Sequence, residues 1–212
     1  MKIAIIGSSV FDSLEYNLKE AFIFNNNECQ IFDIYDTWFV KTGKLLTITK
    51  TLDFLGRRYF DKYDIEIFNK IANRVLDYHP DLVIGVYRFI HPNFVKQIKQ
   101  NRIKIIHINP DALTTFEYQQ LFVEAYDTYF TKDPYIVNFM NNNMKLNAKL
   151  YNEAFNIRIH KKPVMSKDEC EKNVCIDVMT YGTMYPYRVR MLAELLKNDI
   201  DLKVSSQKLA HN

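Results

Sequence analysis

Glycine, proline and cysteine are all scarce in this 212-residue chain, and each shortage excludes a class of protein. Five glycines and six prolines are too few for a disordered or repeat-linker protein. The three cysteines, Cys29, Cys170 and Cys175, are odd in number and irregularly spaced, so they predict neither a disulfide framework nor a zinc site. Apolar residues make up 48% and charged residues 25% of the chain, which is the balance of an ordinary globular domain.

Long apolar runs and a strong charge imbalance are also absent. The apolar run after Lys2 has four residues, IAII, which is too short for the core of a signal peptide. No stretch approaches the roughly 18 apolar residues of a membrane span. We therefore expect a cytoplasmic protein without a membrane span. The net charge of +3 is too small to indicate nucleic acid as a partner.

Several motifs of well-known enzyme classes are missing. The sequence has no GxGxxG, which excludes the dinucleotide fingerprint, and no GxxxxGK[ST], which argues against a P-loop ATPase. It has no GxSxG, so a hydrolase nucleophile elbow is not supported. No His, Cys and carboxylate cluster has metal-ligand spacing, and we expect no bound transition metal.

Short apolar, β-branched runs alternate with helix-length segments through most of the chain. Such runs are typical of parallel strands covered on both faces, and a strand–helix–strand series at this spacing forms βαβ units. We predict strands near residues 2–7, 29–35, 81–87, 103–109 and 127–131, and the segment AKLYNEAFN closes the series. The predicted fold class is therefore α/β: a doubly wound, Rossmann-like parallel sheet with helices on both faces.

Helical patterns fill the segments between these strands. Ser13 is the predicted cap of the helix LEYNLKEAFIFN, and helical periodicity runs through residues 51–79. Further helices are predicted in HPNFVKQIKQN, FEYQQLFVEAY and PYIVNFMNN, the last of which begins with a proline at a first helical position.

The rhythm breaks near residue 156, which predicts a domain boundary. Residues 1–160 form the predicted first domain, and the polar, basic residues 161–173 form a linker. Residues 174–212, with the stretch IDVMTYGTMYPYRVRMLAELLK, read as a strand, a Gly turn and a helix that open a second domain. A unit this short cannot bury a core of its own. We expect its apolar residues to pack on the first domain, to pair with another copy of the chain, or to stay mobile.

Polar residues follow the predicted strands at the edge where open α/β sheets bind ligands. Ser8 and Ser9 could contact a phosphate or a sugar, or could simply cap a helix. Tyr87, Arg88 and His91 could bind a sugar, although Arg88 could instead pair with a carboxylate of the fold. Asn109 and Asp111 lie at the end of the predicted strand 103–109. His107 lies inside that strand and is predicted to be a core histidine.

Four segments together resemble the CgeB-like, spore-maturation group of bacterial glycosyltransferases. They are the strand IAIIG with its polar loop, IIHINPDALTT, YFTKDPYIVNFMNNNMKLNAKLYNEAFNIRIHKKP and IDVMTYGTMYPYRVRMLAELL. The resemblance implies a GT-B fold, in which two Rossmann-like domains face each other across a cleft. The first domain holds mainly the acceptor, and the second holds the nucleotide-sugar donor. It also implies that residues 174–212 are the beginning of a donor domain.

The resemblance also assigns roles to the candidate residues. It implies acceptor binding by Ser8, Ser9, Tyr87, Arg88, His91 and Asn109, and donor binding by Gly182, Thr183 and Arg188. Asp111 would orient or deprotonate an acceptor hydroxyl, the alternative being a turn or helix-capping residue. Gly182 and Arg188 would hold the donor diphosphate at a helix end, the alternative being an ordinary strand–helix turn with a solvated arginine.

The implied function is transfer of a sugar from a nucleotide sugar to a glycan, lipid or protein, with no metal and no cofactor beyond the donor itself. The alternative is a non-catalytic Rossmann-like module that binds a ligand or acts as a scaffold. We expect residues 1–212 alone to bind nucleotide sugar weakly and to transfer no sugar.

Overall fold

The computed structural model describes residues 1–11, 13–37, 45–86, 89–109, 120–152, 156, 161, 164–173, 176–182 and 184–205. The chain divides into two compact units, Met1–Asn156 and Ile157–Asn212. Within the described residues, no helix is both long enough and apolar enough to cross a membrane.

The first unit is built on a six-stranded parallel sheet, which confirms the predicted fold class. Its strands are β1 (Lys2–Gly7), β2 (Glu28–Asp33), β3 (Leu82–Gly85), β4 (Lys104–Ile108), β5 (Thr128–Thr131) and β6 (Ala148–Leu150). The strand order is β2-β1-β3-β4-β5-β6, and every neighbouring pair is parallel. The predicted strands lie within a few residues of the observed ones, and residues 87 and 88 at the end of the third prediction lie outside the described residues.

Helices cover both faces of this sheet: α1 (Leu14–Phe24), α3 (Asp61–Asp77), α4 (Pro92–Gln100) and α5 (Pro134–Asn142). A further helix, α2 (Leu45–Tyr59), packs against α3. Alternate residues of β1 point to opposite faces: Ala4 and Ile6 join the core beneath α3 and α4, whereas Ile3 and Ile5 join the core beneath α1. The apolar runs in the sequence are therefore continuous because both faces of the strands are buried.

Local capping explains where several helices begin. Ser13 caps α1 as predicted, because its hydroxyl oxygen accepts a hydrogen bond from the Tyr16 N–H at 3.1 Å. Asp133 caps α5 in the same way by accepting the Tyr135 N–H at 2.8 Å, and Pro134 follows in the first turn.

The helical periodicity predicted through residues 51–79 belongs to two helices, because the chain is extended at Phe60 (φ −128°), where α2 ends and α3 begins. One helix prediction needs correction. The described part of FEYQQLFVEAY holds only a 3₁₀ turn, Gln120–Phe122. There the Tyr129 hydroxyl donates to the Leu121 carbonyl and accepts the Tyr126 N–H, so a side chain from β5 replaces helical hydrogen bonds.

The second unit contains one βαβ motif and a short preceding helix. Its elements are α6 (Lys167–Lys172), β7 (Val178–Tyr181), α7 (Pro186–Lys197) and β8 (Leu202–Ser205), and β7 pairs in parallel with β8. Helix α6 lies inside the predicted linker, where Ser166 and Glu169 form a reciprocal capping box. Most large apolar side chains of α7 and β7 are exposed, while Leu192 is buried.

Candidate functional site

The strand order reverses at β1, which has β2 on one side and β3 on the other. The chain leaves β1 toward α1 on one face, and it leaves β3 toward α4 on the opposite face. In open α/β sheets, ligands bind in the crevice between the loops at such a point, at the carboxyl edge of the sheet. Ser8 and Ser9 lie in the first loop, His91 lies in the second, and Asn109 directly follows β4 at the same edge.

Asp33 organises the β1 side of this crevice. Its Oδ2 accepts the Ser9 hydroxyl at 2.6 Å and the Ser9 N–H at 2.8 Å, and its Oδ1 accepts the Tyr35 N–H at 2.8 Å. The carboxylate is buried, and its hydrogen bonds connect the end of β2 to the loop after β1. The sequence prediction missed Asp33, although an acidic residue inside the apolar run CQIFDIY was a usable signal.

Glu15 performs a similar task from the first turn of α1. It is buried, and its Oε1 accepts the Ser8 N–H at 2.8 Å. A Cβ atom added to Gly7 would lie 2.6 Å from the Glu15 Cγ and would also collide with Oε1. Gly7 is therefore required by the close approach of Glu15. Carboxylates thus already occupy the backbone N–H groups of Ser8 and Ser9.

His91 links the end of β3 to the beginning of α3. Its Nδ1 accepts the Asn93 N–H at 3.1 Å, which makes His91 the cap of α4. Because Nδ1 must then carry the lone pair, Nε2 carries the hydrogen and donates to Asp61 Oδ1 at 3.1 Å. The imidazole is buried, whereas the Asp61 side chain is largely exposed.

A charged cluster lies between α2 and α3, close to His91. Arg57 Nε is 3.0 Å from Asp53 Oδ2, and Arg57 Nη1 is 3.6 Å from Asp64 Oδ1. Tyr63 donates its hydroxyl to Asp53 Oδ1 at 3.0 Å. Burial raises the pKa of Asp64 to about 6, and the positive charge of Arg57 offsets only part of this effect. Burial, followed by the hydrogen bond to Asp53, also raises the pKa of Tyr63.

Sequence reasoning missed this charged cluster as well. Its signal was Asp64 on the apolar face of α3, four residues before Phe68 and seven before Ile71, together with the i,i+4 spacing of Asp53 and Arg57. A carboxyl on a buried helix face requires a partner, and the arginine on the preceding helix supplies it.

Of the residues predicted in and after β4, the structure describes His107 and Asn109. Asn109 is buried and donates its N–H to the Phe130 carbonyl at 2.8 Å, which continues the β4–β5 pairing. His107 is fully buried and packs edge-on against Tyr126, as a core histidine would. The predicted site residues Tyr87, Arg88, Asp111 and Thr183 lie outside the described residues.

Two of the predicted donor residues, Gly182 and Arg188, lie at the turn after β7. Gly182 has φ +106°, a conformation that other residues adopt only with strain. Arg188 Nη1 donates to the Tyr181 carbonyl at 3.3 Å, so the guanidinium lies over this turn. The N-cap residue of α7, Tyr185, makes no side-chain capping hydrogen bond. The first N–H groups of α7 thus lack the side-chain cap that α1, α4 and α5 have.

Across the described part of the chain, no group of three or more His, Cys, Asp and Glu residues could hold a metal ion.

Comparison with known proteins identifies the fold. No protein-family model matches the chain, and no curated protein matches its sequence. Among solved structures, it matches the lipopolysaccharide outer core galactosyltransferase WaaB, apo form, with a TM-score of 0.57 and 15% identity over 97% of this chain and 60% of that one. It also matches Alr3699/HepE of Anabaena in complex with UDP and glucose, with a TM-score of 0.53 and 11% identity over 98% and 70% of the two chains.

A third match is UGT89C1 of Arabidopsis thaliana complexed with quercetin, with a TM-score of 0.52 and 11% identity. That match covers 98% of this chain and 62% of the plant protein. The chain therefore has the α/β fold of GT-B glycosyltransferases, and it spans 60% of the length of WaaB, 62% of that of UGT89C1 and 70% of that of HepE.

Proposed function

We propose that this chain belongs to a GT-B glycosyltransferase similar to the CgeB-like group, and that it transfers a sugar from a nucleotide sugar to a glycan, lipid or protein. The observation that supports this proposal is the likeness to WaaB, HepE and UGT89C1 over nearly the whole chain. In this proposal residues 1–160 form the acceptor-side domain, residues 161–173 link it to the next, and residues 174–212 begin the donor domain. We place the protein in the cytoplasm.

The donor diphosphate is proposed to bind at the turn after β7. Gly182 lets the backbone bend sharply toward α7, and the first N–H groups of α7 have no side-chain cap. A helix N-terminus favours negative charge, and Arg188 adds a cation over the same turn. Thr183 lies between these groups in sequence. Backbone N–H groups and a basic side chain arranged in this way stabilise the negative charge of a leaving diphosphate without a metal ion or another cofactor.

The acceptor is proposed to bind at the carboxyl edge of the first sheet. Two carboxylates adjoin the loop after β1, Glu15 from α1 and Asp33 from the end of β2, and they already accept the N–H groups of Ser8 and Ser9. Negative charge there repels phosphate but accepts hydrogen bonds from sugar hydroxyls, so this loop suits an acceptor better than a diphosphate. His91 and Asn109 border the same edge. The proposal adds Tyr87, Arg88 and the proposed base Asp111 from their positions in the sequence alone.

Calorimetry with UDP-, GDP- and TDP-sugars tests the donor half of the proposal. We expect the 212-residue chain to bind one of these donors weakly. Arg188→Ala should weaken that binding by about tenfold, the usual effect of losing a charge-assisted hydrogen bond. Arg190→Ala is the matched control, because it removes an equal charge from an exposed position of the same helix.

The outcomes separate the two candidate functions. Equal losses in both variants would refute the assignment of Arg188, because they would show only a general effect of charge. Failure to bind any nucleotide sugar would favour the alternative, a non-catalytic Rossmann-like ligand-binding or scaffold module. A transfer assay with a labelled donor completes the test, since turnover by residues 1–212 would overturn the expectation that this chain alone is inactive.

A further inference from the structure

The loop after β1 places two large apolar side chains in water at the carboxyl edge of the first sheet. Val10 is 65% exposed and Phe11 is 68% exposed, and they directly follow Ser9 in the chain. This is the edge at which open α/β sheets bind their ligands. Single exposed apolar residues are common on protein surfaces, so the case for a ligand depends on the groups around this pair.

Hydrogen bonds fix the backbone that carries the pair. The Val10 N–H donates to the Ser8 hydroxyl oxygen at 3.2 Å, and the Val10 carbonyl accepts the Ser13 N–H at 3.1 Å. The Ser13 hydroxyl also donates to the Ser8 carbonyl at 3.2 Å. The Phe11 ring lies against the Tyr16 ring of α1, with 5.2 Å between the ring centroids. The pair is therefore presented on a pre-formed loop, which lowers the entropy that a ligand must overcome on binding.

The Ser9 hydroxyl beside this pair acts toward a ligand as a hydrogen-bond acceptor. A serine hydroxyl has one hydrogen to donate and two lone pairs. The Ser9 hydrogen is engaged in the 2.6 Å bond to Asp33 Oδ2, which is short and charge-assisted. Ser9 is an exposed residue, and its Oγ keeps its lone pairs for an incoming donor. A ligand at this position must therefore supply a donor, such as a sugar hydroxyl.

The charge beside the loop disfavours an anionic ligand. Asp33 and Glu15 are both buried, and they accept the N–H groups of Ser9 and Ser8. Within the described residues, neither carboxylate forms an ion pair with a lysine or an arginine. Two carboxylates without a paired cation repel a phosphate or a fatty-acid carboxylate. The ligand that fits this loop carries an uncharged hydroxyl next to an apolar group.

We infer that the acceptor is an amphipathic glycoside, in which a sugar is joined to an uncharged alkyl or aryl group. This inference rests on the proposed function, and it narrows an acceptor that was there a glycan, a lipid or a protein. Ser9 Oγ accepts a hydrogen bond from a sugar hydroxyl, and Val10 and Phe11 contact the apolar group. A glycan without such a group leaves both apolar side chains in water and gains nothing from them.

A protein partner or a second copy of the chain suits this loop less well than a small ligand does. Each partner of a stable interface buries roughly 800 Å², of which two side chains supply only a small part. The remaining groups of the loop, Ser8 and Ser9, are committed to buried carboxylates. A small apolar group needs no wider apolar surface than Val10 and Phe11 provide.

Ligand-observed NMR titration of the 212-residue chain with a matched series of probes tests the inference. Methyl, hexyl and phenyl β-D-glucoside share the sugar and differ in the apolar group, whereas hexanoate has an apolar chain and a negative charge. We expect the hexyl and phenyl glucosides to bind about tenfold more tightly than the methyl glucoside, because they bury more apolar surface. Hexanoate should bind about tenfold more weakly than hexyl glucoside, because the carboxylates repel it.

Substitutions assign the two parts of the glycoside to the loop. Phe11→Ser should remove most of the preference for the hexyl and phenyl glucosides, whereas Phe11→Leu keeps an apolar side chain and should retain it. Ser9→Ala should weaken both of these glucosides by a similar factor of about five, because it removes a hydrogen-bond acceptor. Val123→Ser changes a similarly exposed apolar residue elsewhere in the first unit and should bind all probes like the parent. Circular dichroism should show that all variants fold.

Several outcomes would overturn the inference. They are equal affinity for the three glucosides, no binding of any glucoside, hexanoate binding as tight as that of hexyl glucoside, and an equal loss in Val123→Ser and Phe11→Ser. A dimer in light scattering that Phe11→Ser dissociates would also overturn it, because the pair would then contact a second copy.

The proposed function is tested separately, because donor binding is measured with nucleotide sugars alone. A chain that binds a nucleotide sugar without the expected preference among glucosides would refute only the amphipathic acceptor. The expected preference without any nucleotide-sugar binding would support the site at Ser9, Val10 and Phe11 and refute the donor half of the proposed function.

Discussion

Asp64 offers the most direct test of the charged cluster between α2 and α3. Burial raises the pKa of this carboxyl from 3.8 to about 6, even though Arg57 acts in the opposite direction. The folded protein therefore holds the Asp64 proton more tightly than the unfolded chain does. A pKa difference of about 2 corresponds to about 3 kcal/mol, which is what ionisation of Asp64 costs the folded state at neutral pH.

The direction of the pH dependence follows from this difference. Between about pH 4 and about pH 6 the folded state binds more protons than the unfolded state, so the free energy of unfolding falls as pH rises. Asp64→Asn keeps the shape of the protonated side chain and removes the titration. We expect the variant to be more stable than the parent by about 2–3 kcal/mol at pH 7 and equally stable below about pH 4.

Urea unfolding followed by circular dichroism across this pH range measures both quantities. Glu66→Gln is the matched control, because it removes a carboxylate from an exposed position of the same helix and should change stability by less than about 0.5 kcal/mol. A less stable Asp64→Asn variant at pH 7 would refute the reasoning, since the ion pair with Arg57 would then outweigh the cost of burial. The reasoning would also be refuted if the unfolding free energies of the parent and of Asp64→Asn changed equally with pH between about pH 4 and about pH 6.

Three further predictions concern the carboxyl edge and the thiols. Gly7→Ala should lower the free energy of unfolding by about 1–3 kcal/mol, because its Cβ collides with Glu15, and adding Glu15→Ala should recover part of the loss in the same urea titration. Burial raises the pKa of Cys29 to about 11, so at pH 8 about one thiol in a thousand is ionised. Mass spectrometry after alkylation should find Cys170 modified well before Cys29, and equal rates would show that Cys29 is accessible. His91→Ala should cost about 1 kcal/mol of stability through loss of the α4 cap, whereas His91→Asn should keep most of it; equal melting temperatures of the two variants would argue against the cap.

The strands were predictable because their signal is local. A run such as IAII is buried on both faces wherever it occurs in a parallel sheet, and Ser13 caps α1 through a neighbour three residues away. The break between α2 and α3 at Phe60 was missed, because helical periodicity continues across it while the backbone does not. Helix α6 was missed for the opposite reason. Its polar segment shows little hydrophobic periodicity, yet the capping box of Ser166 and Glu169 stabilises a short helix there.

The polar contacts of the candidate site were not predictable in the same way. His91 was expected to meet a sugar, but its imidazole contacts Asp61, 30 residues earlier in the chain. Ser9 bonds to Asp33 across β1 and β2, and Ser8 bonds to Glu15. Residue type and position after a strand place a side chain at the right edge of the sheet. They do not reveal which distant carboxylate hydrogen-bonds to that side chain, because this depends on how whole helices and strands pack.

The strand order β2-β1-β3-β4-β5-β6 bears on how the first unit assembles during synthesis. The strands β1 and β2, the first two of this unit in chain order, are neighbours in the sheet, and β3 adds to the free side of β1. Each later strand then adds to the outer side of the strand before it, so no strand must insert between two that have paired. Unpaired strand edges invite association with other chains. Here the edges left open by β3, β4 and β5 are each covered by the next strand of the sheet in the nascent chain.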